Sequence, residues 1–118
     1  FFLIQKKPSD IDLKQISKSK KIICFGDLDV SEKPFEDTIE IINQMDLVIT
    51  ADTSTAHLAA TLGKNTWIIL PFLSDWRWFL KKSDSKWYKN VKLFRSKKIG
   101  DLDSAFKSVK KDLKQGLF

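Results

Sequence analysis

Residues 46–63 read DLVITADTSTAHLAATLG, and this stretch decides the predicted fold. It begins with the β-branched apolar run Leu47 to Thr50, which is typical of a strand buried on both faces. Residues 52–55, DTST, then offer the side chains that cap helices, and Ala56 to Leu62 is a good helix former that ends at Gly63. The stretch therefore predicts a strand, a tight polar turn and the N-terminus of a helix.

A helix N-terminus directly after a strand favours the binding of an anion. Its first backbone N–H groups have no partner within the helix, and the helix dipole is positive at this end. His57 falls in the first turn or so, where its ring could donate a hydrogen bond to a phosphate oxygen. The other interpretation is a structural histidine, half-buried beneath the strand.

The composition indicates one globular domain. The chain has 118 residues, of which 42% are hydrophobic and 31% charged, and this length suffices for a core. No apolar run approaches the ~20 residues of a membrane-spanning helix. Cys24 is the only cysteine, so an internal disulfide is excluded and we expect a reducing, cytoplasmic location. The chain begins without Met and within a predicted strand, so we expect a fragment of a longer protein.

Charge is spread unevenly along the chain. Residues 1–59 carry 7 Lys/Arg and 10 Asp/Glu, a net charge of −3, whereas residues 60–118 carry 14 and 5, a net charge of +9. The basic half could attract phosphate, nucleic acid or an anionic membrane. The lysines are scattered and form no basic motif, so a solvated face is the simpler interpretation and nucleic acid is not expected to be a partner.

Strands and helices alternate along the sequence. Ser9 to Asp12 resembles a capping box with Asp in place of Glu, and Asp101 is placed to cap the last helix. Four helices are predicted: one that follows the capping box at Ser9, one at 37–44, one at 56–62 and one that follows Asp101. Five strands are predicted, at 1–5, 22–25, 47–50, 66–70 and 91–94. Because most strands are continuously apolar, we expect an α/β fold, a doubly wound parallel sheet of about five strands with helices on both faces.

Polar residues follow the ends of the predicted strands. In doubly wound sheets, ligands bind outside the carboxyl ends of the strands. Polar loops gather such residues without any ligand, so the pattern raises the expectation of a site without deciding it. The residues concerned are Lys6, Asp27, Asp52 to Thr55, Ser74, Asp75 and Arg77.

A family resemblance follows from the run DLVITADTSTAHLAATLGK, residues 46–64. It resembles the signature region of the heptosyltransferase-like glycosyltransferases, family nine. Later segments resemble one branch of this family, in which the module forms the C-terminal part of tetratricopeptide-repeat proteins. These segments lie between residues 67 and 95 and read WIILPF, DWRW, DS, WY and LFR. The similarity covers about residues 2–115. The sequence differs from the family pattern at two positions. Lys7 stands where the family usually has glycine, and Ser54 stands where heptosyltransferases proper often have glycine.

The resemblance implies a GT-B architecture, with two Rossmann-like domains and an active site in the cleft between them. Residues 1–118 would be one Rossmann-like domain, the C-terminal, donor-binding half. An acceptor domain and the repeats would precede it in the same chain. The family's catalytic base lies in the acceptor half, so no catalytic residue is expected in this fragment. A GT-B enzyme usually needs no metal, and His57 has neither a second histidine nor a carboxylate pair at ligand spacing around it, so no metal is expected. No other cofactor is expected, and the nucleotide diphosphate sugar would be a substrate.

The candidate donor-binding residues each have a structural alternative. Thr53, Ser54 and Thr55 could bind the diphosphate or cap the helix, and Asp52 could accept from sugar hydroxyls or serve as the cap. Lys6 could pair with phosphate as a point charge or be a surface lysine. Arg77 could bind an anion through two N–H groups, stack on its neighbouring tryptophans or pair with a carboxylate of the protein. Four aromatic residues are interpreted as packing residues, either in the core or against the missing domain: Trp76, Trp78, Trp87 and Tyr88.

Two functions compete at this stage. The first is the donor-binding half of a glycosyltransferase, inactive alone. The second is a non-catalytic interaction module at the end of a tetratricopeptide-repeat scaffold. The intact DTSTAH run favours the first, and Lys7 with the lysine-rich helices favours the second.

Overall fold

A computed structural model describes residues 1–5, 7–26, 28–30 and 33–118. These residues form two compact units, Phe1–Ile41 and Ile42–Phe118. The prediction of one domain stays a prediction beside this division.

The first unit holds a short parallel strand pair and a helix. Strand β1 (Phe2–Leu3) pairs with β2 (Ile23–Cys24), and helix α1 (Asp10–Ile16) lies between them in sequence. The predicted capping box at α1 is confirmed, since Ser9 Oγ accepts from the Asp12 N–H at 3.2 Å and the Asp12 carboxylate accepts from the Ser9 N–H at 3.1 Å. Both backbone donors at this helix end are thereby satisfied.

Helix α2 (Glu36–Gln44) continues from the first unit into the second. Within the second unit the order is β3 (Leu47–Ala51), α3 (Ser54–Thr61), β4 (Asn65–Leu70), β5 (Val91–Arg95) and α4 (Leu102–Lys114). The three strands form a parallel sheet in the order β3-β4-β5, with Ile49 opposite Trp67 and Ile69 opposite Phe94.

A helix covers each face of the three-stranded sheet. Ala56 and Ala60 of α3 pack with Ile68, Leu70 and Leu93 on one face. On the other face, Val109 of α4 packs with Trp67 and Phe94. The small side chains of α3 allow its backbone to lie close to the sheet, which fixes where the N-terminus of that helix sits.

The chain leaves α3 through a Schellman motif. Lys64 N–H donates to the Ala59 carbonyl at 3.0 Å, and Gly63 N–H donates to the Ala60 carbonyl at 3.1 Å. Gly63 has φ of 77°, a left-handed conformation that glycine adopts without a Cβ clash. The predicted helix end at Gly63 is confirmed, and the turn leads the chain directly into β4.

The α/β class, the parallel strands and the five strand positions are confirmed. The prediction of one sheet of about five strands is wrong for the described residues, where the strands divide into sheets of two and three. Strands β1 and β2 have only two residues each, so their ladder is short, and Phe2 and Ile23 remain 48% and 55% exposed. Apolar runs in the sequence predicted these strands, but an apolar run does not indicate which other strands a strand will pair with.

Candidate functional site

The carboxyl ends of β3, β4 and β5 lie at one edge of the parallel sheet. After β3 the chain enters α3 within three residues, and after β4 it makes an irregular loop with a 3₁₀ turn at Trp76–Trp78. Ser96, just after β5, donates from its N–H to the Leu70 carbonyl at 3.0 Å and so ties two of these strand ends together. All site residues whose geometry is described below belong to the second unit.

The N-terminus of α3 is open. Thr53 occupies the N-cap position with extended backbone, but its side chain makes no capping hydrogen bond; instead its Oγ1 lies 3.3 Å from Thr50 Oγ1. The first turn contains no acidic residue. Thr53 and Ser54 are exposed and Thr55 is half-buried. The N–H groups of Ser54 and Thr55 therefore have no acceptor within the helix or from the cap side chain. The Ala56 N–H, by contrast, donates to the Thr53 carbonyl at 3.0 Å.

His57 is held by the loop that follows β4. Its Nδ1 lies 3.1 Å from the Tyr88 hydroxyl, and its ring stacks on Trp78 with 5.3 Å between ring centroids and 25° between planes. Trp78 is fully buried and belongs to the core. The His57 side chain is 38% exposed, so one part of the ring is fixed by packing while another part reaches solvent.

Asp52 faces the other side of the same imidazole. Asp52 Oδ1 lies 4.0 Å from His57 Nε2, which is too far for a hydrogen bond but close enough for an ionic attraction when the ring is protonated. The N-cap is Thr53, so the alternative that Asp52 caps the helix is wrong. The carboxylate thus remains available for a ligand hydroxyl.

Arg77 is occupied by its neighbours. Its Nη1 donates to Asp75 Oδ1 at 2.8 Å, and its guanidinium lies 4.8 Å from the centroid of the Trp76 ring. The structure thereby adopts two of the three alternatives for this residue, the carboxylate pair and the aromatic stack. An incoming anion would have to compete with Asp75 for the guanidinium.

The environment of Asp75 stabilises its ionised form. The Arg77 backbone N–H lowers the pKa of Asp75 most, desolvation acts against it, and the Arg77 guanidinium together with the positive charge of protonated His57 lowers the pKa further.

Sequence reasoning missed the part that Arg95 plays. Its guanidinium donates to the carbonyls of Trp78, at 3.0 Å, and Phe79, and to the Ser74 hydroxyl. Burial lowers the pKa of Arg95 from its ordinary value. Arg95 therefore braces the loop that carries Trp78 beneath His57. An arginine at the end of a buried strand was the available signal, because such a cation needs several acceptors.

The other aromatic residues divide between core and surface. Trp78 confirms the packing interpretation, and Tyr88 packs against the same core while presenting its hydroxyl to His57. Trp76 and Trp87 instead form an exposed edge-to-face pair, 65% and 57% exposed. The Trp87 Nε1 donates to the Arg77 carbonyl at 3.0 Å, which fixes the pair on the 3₁₀ turn.

Two of the predicted candidates have no described geometry. Lys6 and Asp27 lie outside the described residues, so the proposed pairing of Lys6 with phosphate stays a prediction. In the described part of the chain, no cluster of three or more His, Cys, Asp or Glu side chains is arranged to hold a metal. Among the helices of the described residues, none combines the length and the apolar character needed to cross a membrane.

Comparison with known proteins gives no match, whether with family models, curated proteins or solved structures. The resemblance to the heptosyltransferase-like family therefore stays a prediction. What the structure brings together at one sheet edge is the open N-terminus of α3, the Asp52 carboxylate and an imidazole fixed by Trp78 and Tyr88.

Proposed function

We propose that residues 1–118 are the nucleotide diphosphate sugar binding half of a GT-B glycosyltransferase. Its base would come from an acceptor domain outside these residues. The observation that carries the proposal is the open N-terminus of α3 beside the fixed His57, at the carboxyl edge of a parallel sheet. This half would be Rossmann-like and act in the cytoplasm, with the rest of the same polypeptide and the sugar donor as its partners.

The chemistry suits a leaving diphosphate. Glycosyl transfer from such a donor builds negative charge on the β-phosphate oxygens, and fixed N–H donors at a helix N-terminus stabilise that charge. The backbone of Ser54 and Thr55 would supply these donors, with the hydroxyls of Thr53, Ser54 and Thr55 beside them. His57 would add a side-chain donor from the solvent-reaching part of its ring.

The negative charge of Asp52 indicates which part of the donor lies near it. A carboxylate repels a diphosphate, whereas it accepts hydrogen bonds from sugar hydroxyls. With Asp52 Oδ1 4.0 Å from His57 Nε2, the sugar would lie on the Asp52 side and the diphosphate nearer the α3 amides. Arg77 would contribute only if the ligand displaced Asp75. The pairing of Lys6 with a donor phosphate is kept as part of the proposal.

A titration monitored by backbone amide NMR tests the proposal. ADP at millimolar concentration is expected to shift the amide signals of Thr53 to His57. Helix α4 provides an internal control, because the Asp101 side chain already accepts from the Ser104 N–H at 3.3 Å and closes that N-terminus. Shifts confined to α4, or absent from α3 at saturating ADP, would contradict the nucleotide site.

The second candidate function is a non-catalytic interaction module at the end of a repeat scaffold. The exposed pair Trp76 and Trp87 favours it, because aromatic side chains of this kind are enriched at protein interfaces. Under this alternative the α3 amides would not respond to ADP, and Trp76→Ala would weaken capture of the preceding part of the same polypeptide. Binding of ADP with unchanged association would reject it.

A further inference from the structure

The Tyr88 hydroxyl makes a contact with His57 that the sequence did not predict. It lies 3.1 Å from His57 Nδ1. Tyr88 is itself fixed, because its N–H donates to Ser85 Oγ at 3.3 Å and its ring packs against the core. The two residues are 31 positions apart in sequence, so the fold, rather than the local chain, brings this hydroxyl to the imidazole.

The groups at the two ring nitrogens of His57 favour one tautomer. A neutral imidazole carries its proton on one nitrogen and a lone pair on the other. With the proton on Nδ1, the Nε2 lone pair would face the Asp52 carboxylate at 4.0 Å, and the two negative regions would repel. With the proton on Nε2, this repulsion becomes an attraction and Nδ1 can accept from the Tyr88 O–H.

The orientation of the ring is limited as well. Trp78 covers one face of the imidazole at 5.3 Å and is fully buried, so this contact fixes the plane of the ring. Tyr88 at Nδ1 then selects which nitrogen points inward. The Nε2–H is left facing Asp52, two residues before Ser54, which is the first residue of α3.

We propose that Tyr88 is a positioning residue that holds neutral His57 as the Nε2–H tautomer, with this donor on the Asp52 side of the ring. A donor fixed in this way serves a ligand oxygen without requiring a charged ring. The consequence for ligand binding rests on the proposed function, whereas the tautomer itself does not.

Imidazole nitrogen NMR tests the tautomer directly. His57 is the only histidine of the chain, so the two ¹⁵N signals of uniformly labelled protein need no assignment by mutation. At about pH 9, where an ordinary imidazole is neutral, the wild type is expected to show protonated Nε2 and unprotonated Nδ1. A wild-type ring protonated at Nδ1 would overturn the proposal. The Tyr88→Phe variant is expected to change the Nδ1 signal as its hydrogen bond is lost, and an unchanged signal would overturn it too.

A double-mutant cycle tests whether Tyr88 acts through His57. Tyr88→Phe is expected to weaken ADP binding about fivefold, the factor that corresponds to one neutral hydrogen bond, with a Tm close to wild type. In a His57→Ala background the same change is expected to have no further effect. An equal loss in both backgrounds would show a structural role and overturn the proposal. Trp87→Phe is the matched control, since its indole N–H bonds Arg77 and not His57.

The two readouts separate this proposal from the proposed function. If ADP does not bind the wild type but the nitrogen signals give the Nε2–H tautomer and respond to Tyr88→Phe, the nucleotide function fails and the positioning by Tyr88 stands. If ADP binds but the ring is protonated at Nδ1, the nucleotide function stands and the positioning by Tyr88 fails.

Discussion

At the scale of single residues, two arginines of one sheet edge play different parts. Arg77 lies on the surface, where its side chain is 46% exposed and pairs with Asp75. Arg95 donates to carbonyls of the β4–β5 loop, including that of Phe79. Phe79 has a backbone φ of 45°, which is rare for residues other than glycine. The loop conformation thus depends on Arg95, and His57 in turn depends on the loop through Trp78.

Replacing Arg95 by Met is expected to destabilise the protein by about 2 kcal/mol, because the carbonyls of Trp78 and Phe79 lose a charged donor. Urea unfolding measures this change, and the near-UV circular dichroism of the tryptophans should weaken in the folded state. Arg77→Met is the matched control and is expected to cost about 0–1 kcal/mol, as for an exposed ion pair. Equal losses for the two variants would contradict the bracing role.

The carboxylate of Asp75 predicts a pH dependence with a definite sign. Its folded pKa lies below its ordinary value of 3.8, so ionised Asp75 stabilises the fold above that value and the contribution is lost as the pH falls through the lower folded pKa. Wild type should therefore exceed Asp75→Asn in stability at about pH 6, and the difference should shrink as the pH falls below the ordinary pKa of 3.8. A difference that persists or grows in acid would contradict this assignment.

At the scale of elements, α3 shows why its two ends serve different purposes. The C-terminal end is closed by Gly63, with two carbonyls of the last turn accepting hydrogen bonds. The N-terminal end lacks a side-chain cap, whereas α1 and α4 are capped by Ser9 and Asp101. Leaving the N-terminus of α3 without a cap costs about 1 kcal/mol relative to a capped end, which is consistent with a ligand taking the place of the cap.

Gly63→Ala is expected to destabilise the second unit by about 1 kcal/mol, because alanine is strained at φ of 77°. The space around Gly63 is open, so the loss would come from the backbone and not from a steric clash. Chemical denaturation measures it, with Gly26→Ala as the control at a glycine that has open space and no positive φ. A Gly63→Ala protein as stable as Gly26→Ala would contradict the left-handed turn.

At the scale of the whole molecule, the sequence predicts local elements better than their assembly. Capping residues and apolar runs located α1, α3 and all five strands, because these signals act over a few neighbouring residues. The division of the strands into two sheets, and the meeting of Tyr88 with His57, depend on contacts between distant parts of the chain. Nothing in the spacing of residues 57 and 88 encodes that contact, so the partner of the histidine was not predictable.

The two sheets are expected to differ in local stability. In β4, Thr66, Ile68 and Leu70 are fully buried between neighbouring strands, so exchange of their amides requires extensive unfolding. Strands β1 and β2 have two residues each and half-exposed side chains, so their amides can exchange through local opening. Native-state hydrogen exchange should therefore give the greatest protection in β4 and much less at Ile23, whose N–H donates to the Phe1 carbonyl at 2.9 Å. Equal protection at Ile23 and Ile68 would contradict this difference, because a shared value requires that both sheets open only when the whole chain unfolds.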